Sequence, residues 1–102
     1  MVQFKKIKNH YDSLIISGHA EFAKKGQDLV CAGISAIAFG ALNGFNELAP
    51  NNFDIVVADN LITVSVVEQS ETVEQLMNFT KYQFKTVYAQ YPEYINIKVT
   101  EV

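Results

Sequence analysis

Apolar positions along this chain recur with two periods, and the changes of period outline a series of strands and helices. Val2 to Lys8 reads as a strand with irregular alternation. Asn9 to Asp12 carries turn chemistry, and Ser13 to Ser17 reads as the returning strand, stopped by Gly18. Glu21 to Gln27 is polar, contains Lys24-Lys25-Gly26 and reads as a loop. Asp28 then stands as N-cap before a helical run to about Asn43, with Gly44 where a left-handed residue closes a helix. That helix is apolar nearly all round and rich in small residues, so burial on more than one side is expected. Phe53 to Ala58 and Leu61 to Glu68 are β-branched-rich strands, and Asp59-Asn60 suits a two-residue hairpin with positive φ. Ser70 caps a second helix with Glu71 and Glu74 in its first turn, where the helix dipole favours acids. Its apolar stripe is Val73, Leu76, Met77, Phe84, Val87 and Tyr88, and Pro92 marks its end. Tyr94 to Val102 alternates again, with Ile95, Ile97 and Val99 on one face. The order β-β-α-β-β-α-β predicts a two-layer α+β domain: a largely antiparallel sheet with two helices packed on one face.

Composition narrows the function without naming it. A chain of 102 residues is one domain, residues 1–102, and 49% apolar content is enough to offset the entropy of ordering it. The net charge is -3 and arginine is absent, which argues against binding a phosphate backbone, so no nucleic-acid partner is expected. One cysteine excludes an internal disulfide and fits a reducing, cytoplasmic setting. The N-terminus has no signal-like apolar core. The longest apolar tract, Leu29 to Phe45, is interrupted by Gly33, Ser35, Gly40, Asn43 and Gly44 and falls short of the ~20 residues of a membrane span. A soluble protein away from membranes is therefore expected. No phosphate-binding glycine loop, Gly-x-Ser-x-Gly elbow or Cys-x-x-Cys pair occurs, so neither cofactor nor metal is anticipated.

Two reactive side chains flank the first strand–helix connection: His19 after the second strand and Cys31 in the first turn of the first helix. With Asp28 as N-cap, Leu29, Val30 and Cys31 are the first helical positions, and their N–H groups lack intrahelical partners. Helix termini favour the thiolate, but only by about 0.3–1 kcal/mol at an exposed site. That is less than the roughly 1.4 kcal/mol of a tenfold change in an equilibrium, so the dipole alone is a weak activator. Substantial activation needs a base, and His19 is the candidate. Packing roles compete with this chemistry. A cysteine in an apolar helix is commonly a small core hydrophobe, a lone histidine after a strand is commonly solvated, and Asp28 serves equally as cap or as a partner orienting His19. Ser35 lies one turn after Cys31 on the same face, where it either donates to a substrate or bonds back to the Cys31 carbonyl. His10 sits in a turn with no visible partner.

The segments Gly18-His19-Ala20 and Gly26-Gln27-Asp28-Leu29-Val30-Cys31-Ala32-Gly33-Ile34-Ser35 together resemble the bacterial ribosomal-processing cysteine protease family, Prp. The resemblance extends over the whole chain in length and element order. Gly33 stands where many members have alanine and Phe22 where many have tyrosine. The resemblance implies a cysteine endopeptidase, with His19 and Cys31 at the family's catalytic positions. It implies as substrate the precursor of large-subunit ribosomal protein twenty-seven, whose N-terminal extension is removed after aromatic residues, and it implies a homodimer. Asp28 occupies an acidic position of the motif, and Gly18 a hinge position beside the site. The expected mechanism is proton transfer from Cys31 to His19, thiolate attack, and an oxyanion held by helix N-terminal N–H groups, with the Glu21 to Gln27 loop as a lid. Two rival readings stay open: a non-catalytic ribosome-associated binding module with a buried structural Cys31, and a redox-sensing thiol.

Overall fold

Strand register decides what the fold can position. A computed structural model describes residues 1–18 and 27–102, without the side chains of residues 27 and 28. The expected loop over residues 21–26 lies outside the described residues, as does His19. The strands are β1 (Val2–Ile7), β2 (His10–Ser17), β3 (Phe53–Ala58), β4 (Leu61–Val66) and β5 (Ile97–Glu101), and the helices are α1 (Gln27–Leu48) and α2 (Glu71–Gln90). The five-stranded sheet runs β3-β4-β2-β1-β5. β1–β2, β2–β4 and β3–β4 pair antiparallel, and β5 joins the β1 edge in parallel. The expected two-layer α+β architecture and element order are therefore present.

The pairing aligns one rung of side chains across the sheet: Phe4 opposite Leu14, Leu14 opposite Val64, and Val64 opposite Ile55. Phe4, Leu14 and Val64 are fully buried. The helices supply the other half of that core through Ala38, Leu42 and Phe45 of α1 and Val73, Met77 and Phe84 of α2. The ring of Phe45 stacks on Phe53 of β3 at 4.5 Å between centroids, fixing the C-terminal half of α1 over the sheet edge. One rung nearer the other end lie Val2, Ile16, Ile62 and Val57. There Val2, Ile16 and Ile62 stay buried while Val57, on the edge strand β3, is left 55% exposed, so the helix cover thins toward that corner of the sheet.

β4 ends at Val66 and β5 begins at Ile97, where strands to Glu68 and from Tyr94 were expected, and three further departures concern the first turn, α1 and the stripe of α2. The first turn is Lys8-Asn9, with φ of 49° and 69°, and His10 already belongs to β2. Positive φ at both central residues matches the twist of a two-residue hairpin. A register shift opposite Lys5 and Lys6 leaves Asp12 unpaired, so Tyr11 and Leu14 both face the core. That bulge breaks the period of two and disguises the start of β2. Second, α1 runs on to Leu48, Phe45 and Ala49 are buried, and Gly44 does not take a left-handed conformation. The longer helix makes Leu29–Leu48 long and apolar enough, by length and composition alone, to cross a membrane. Only 22% of that window is buried: Ala38, Leu42 and Phe45 join the core shared with the sheet, whereas Leu29, Phe39 and Leu48 are exposed, so the expected burial of α1 on more than one side is corrected to burial along one stripe. Third, Tyr88 is exposed whereas Thr80, outside the expected stripe, is buried; its hydroxyl donates to the Leu76 carbonyl at 2.8 Å, which removes the cost of burying it.

α2 begins as the sequence implies. The Ser70 Oγ accepts the Val73 N–H at 3.1 Å, and Glu71 and Glu74 occupy the first turn. Glu74 also reaches out of the helix: its Oε2 accepts the Tyr11 N–H at 3.0 Å, and its Oε1 lies 3.8 Å from Nδ1 of the half-exposed His10. The expectation of a partnerless His10 is corrected accordingly. Ser70→Ala should cost about 1 kcal/mol in urea unfolding, the usual loss of a capping hydrogen bond. A Cβ at Gly44 would meet nothing within 4 Å, and its backbone is helical. Gly44→Ala should therefore stabilise the protein by about 0.4–1 kcal/mol in the same experiment, where a true left-handed cap would be destabilised.

Candidate active site

Below the thinned helix cover, a cleft of about 440 Å³ opens between the first half of α1 and the end of the sheet. Its floor contains the second rung, Val2, Ile16 and Ile62, with Val57 at one side. Its wall on the helix side is formed by Cys31, Ser35, Ala38 and Phe39, and Tyr94 closes the side toward β5. Cys31 and Ser35 share this face, as their spacing of one turn requires. The thiol is free and half-buried, while Ser35 is exposed at the wall. Cys31 is thus neither sealed in the core nor spread on open surface. A half-buried thiol facing a cavity is accessible to a substrate and shielded from bulk water, which suits nucleophilic chemistry better than a packing role.

The start of α1 differs from the expected one. The helix begins at Gln27, so Asp28 is its second residue and not the N-cap. Cys31 is the fifth helical residue, in the second turn, and by the i to i−4 rule its N–H pairs with the Gln27 carbonyl. The Leu29 side chain is exposed and that of Val30 is buried.

β2 ends against the same cleft. The Ser17 N–H donates to the Met1 carbonyl at 2.8 Å, and the Gly18 N–H donates to the Asn60 carbonyl at 3.1 Å. Gly18 has φ of +69°, a left-handed conformation that turns the chain off the strand immediately before His19. Gly18 and Asn60 both line the cleft with Cys31. In the β3–β4 turn only Asn60 takes positive φ, at 58°, where both turn residues were expected to. The structure therefore brings Gly18, Cys31 and Ser35 to one cavity. Among the described residues no cluster of three or more His, Cys, Asp or Glu side chains offers a metal site. Sequence reasoning missed Phe39, Val57, Ile62 and Tyr94 as cleft residues. They come from α1, β3, β4 and the turn before β5, and only the cross-strand register, which no local pattern carries, puts Val57 beside Ile62 and Ile16.

With this geometry in place, comparison with known proteins is specific. The family model described as cysteine protease Prp matches residues 1–96. A Mycoplasma pneumoniae protein named ribosomal processing cysteine protease Prp is 36% identical over 95 residues, covering 91% of this chain and 92% of the relative. The Mycoplasma genitalium protein of the same name is 31% identical over 101 residues, covering 90% of this chain and 92% of the relative. The crystal structure of the S. aureus ribosomal processing protease Prp with a substrate peptide superposes with a TM-score of 0.84 at 24% identity, covering 99% of this chain and 97% of that one. At that identity the superposition speaks for the fold, and the sequence matches carry the assignment: the chain belongs to the Prp family of cysteine proteases.

Proposed function

We propose that this protease removes the N-terminal extension from the precursor of large-subunit ribosomal protein twenty-seven, with Cys31 as nucleophile and His19 as its base. The observation that carries this reading is the position of Cys31: half-buried, on the wall of an apolar cleft, inside the family-like segment from Asp28 to Ser35. The relatives are named for ribosomal processing, and one is solved with a substrate peptide. An apolar floor of Ile16 and Ile62 suits the bulky apolar side chains expected before the cut, because such side chains gain most from leaving water. One cysteine and an arginine-free surface fit action in the reducing cytoplasm, on the protein precursor and not on RNA. The working form in this reading is a homodimer.

In the proposed reaction His19 accepts the Cys31 proton, and the sulfur attacks the scissile carbonyl carbon. The carbonyl π pair moves to oxygen, forming a tetrahedral oxyanion. Collapse of that intermediate expels the amine, which takes the proton from His19, and leaves a thioester on Cys31. Water, deprotonated by His19, then attacks the thioester and releases the acid and the free thiol. The oxyanion needs donors other than the Cys31 amide, which the helix already uses. Ser35, exposed on the same wall, adds a hydroxyl beside the nucleophile, and Asp28 is assigned to holding the helix start.

The decisive experiment incubates the protein with the extended ribosomal protein and sequences the new N-terminus. Cys31→Ala and His19→Ala should each lower cleavage by roughly four orders of magnitude or more while circular dichroism stays unchanged. Full activity in either variant would end the dyad reading. In the folded protein iodoacetamide should alkylate Cys31, and His19→Ala should slow that reaction; an inert thiol together with tight peptide binding and no cleavage would favour the non-catalytic binding module.

A further inference from the structure

We infer that Phe39 of α1 and Val57 of β3 form a specificity subsite for an apolar substrate side chain three or four residues before the scissile bond. The inference rests on the reading of Cys31 as nucleophile and of an extension peptide as substrate, and adds to it a contact remote from the reacting atoms. Phe39 is 51% exposed and Val57 is 55% exposed. Neither belongs to the core or to the side chains packed against it, so the fold itself makes no use of them. Both nevertheless line the cleft that holds Cys31, together with the exposed Leu61. Exposed apolar side chains from α1, β3 and β4 thus meet at one rim. Such residues scattered singly over a surface need no explanation, whereas a group of them gathered at the mouth of a cavity marks a binding surface.

Helix and strand geometry set the distance from the nucleophile. From the Phe45–Phe53 stack, Phe39 lies about 9 Å back along α1 and Val57 about 13 Å on along β3, so both fall at the corner where the sheet is least covered. Cys31, Ser35 and Phe39 follow one another by four along the α1 wall, each turned about 40° further round the helix. Their burial follows that drift: Cys31 is half-buried, and Ser35 and Phe39 are exposed. Cys31 and Phe39 are about 12 Å apart along the helix axis, a distance that three to four residues of extended peptide span at about 3.3 Å each. Ile62 pairs with Val57, so the apolar floor assigned to the residues nearest the cut continues to the rim on the same side of the bond. No residue from Leu29 to Phe45 is charged. A charged substrate side chain would lose hydration at this rim without gaining a partner, and an apolar one would only gain.

The test pairs enzyme variants with substrate variants. The whole chain, as parent, Phe39→Ser, Phe39→Leu and Val57→Thr, is assayed on extension peptides carrying leucine or serine at each of the second to sixth positions before the cut. The parent should prefer leucine over serine about tenfold in kcat/KM at the third or fourth position, the usual scale for an apolar side chain in an apolar pocket. Phe39→Ser should erase most of that preference and Val57→Thr part of it, while the preference at the second position stays unchanged in both. Phe39→Leu keeps the apolar bulk and should keep the preference. Coupling confined to one substrate position is a signature that a general disturbance of the fold does not produce. Preference retained at the third and fourth positions in both Phe39→Ser and Val57→Thr would overturn the inference. An equal loss on every peptide would overturn it as well, and if sedimentation then showed a smaller assembly, the rim would be a contact with a second copy. A parent protein that cleaves none of the extension peptides would overturn the proposed substrate and the subsite with it.

Discussion

Phe45 stacked on Phe53 is the contact on which the site depends. It pins the C-terminal half of α1 to the β3 edge of the sheet, where Leu42 and Ala38 complete the core. A straight helix held at one end by bulky side chains cannot also lie flat at the other unless the residues there fill the gap. Of the six α1 residues that line the cleft, Cys31, Ala32, Ser35 and Ala38 are small, and only Ile34 and Phe39 are large. Small side chains over the rung Val2–Ile16–Ile62 leave a space that larger ones would fill, and that space is the cleft. The run of small residues, which invites a reading of tight packing on several sides, instead keeps the first half of α1 from sealing the sheet. The cost is apolar surface left for water, a deficit that a substrate peptide would offset on binding.

The position of the thiol follows from the same geometry and changes its chemistry. In the second turn of α1, Cys31 is farther from the positive end of the dipole than a first-turn residue would be. The dipole's effect decays within the first turn, so its contribution to stabilising a thiolate, at most about 1 kcal/mol when exposed, becomes smaller still. Dependence on a base is therefore stronger than the sequence reading implied. The Cys31 amide, engaged inside the helix, is also lost as an oxyanion donor. In the proposed mechanism the group that activates the Cys31 thiol arrives from the β2 side of the cleft, where the chain leaves the sheet at Gly18.

Much of this was legible from local pattern. α2 could be placed because Ser70, Glu71 and Glu74 mark its start and the stripe from Val73 to Val87 repeats by threes and fours. The β3–β4 hairpin followed from two β-branched runs around Asp59-Asn60. What escaped was tertiary in origin. Gly44 looks like a helix stop, but burial of Phe45 and Ala49 carries α1 through it, against a propensity penalty of only about 1 kcal/mol. Asp12 at the bulge hides the true start of β2, because an unpaired residue inverts the alternation on which strand reading relies. At the site, Gly18, Cys31 and Ser35 could be named from the sequence, whereas Val57, Ile62 and Tyr94 could not, since their closeness to Cys31 is a product of register.

Stability and chemistry are kept at opposite ends of this small domain. The bulge places Tyr11 in the core, where its ring meets Phe4 edge-on at 5.8 Å and its hydroxyl donates to the Asn78 side chain of α2. Glu74 accepts the Tyr11 N–H, and Ser70 caps the helix one turn before it. These bonds anchor α2 to the first hairpin at the end of the sheet remote from Cys31. A buried, fully partnered polar group fixes geometry more sharply than apolar packing does, because each displaced donor or acceptor would lose its partner. With α2 and the Phe4–Leu14–Val64 rung secured in that way, the rung beyond can be left partly uncovered without unfolding the domain. An open cleft beside Cys31 is tolerated in 102 residues because Phe4, Leu14, Val64 and the α2 side chains hold the core without lining the cleft, while Val2, Ile16, Ala38 and Ile62 serve both.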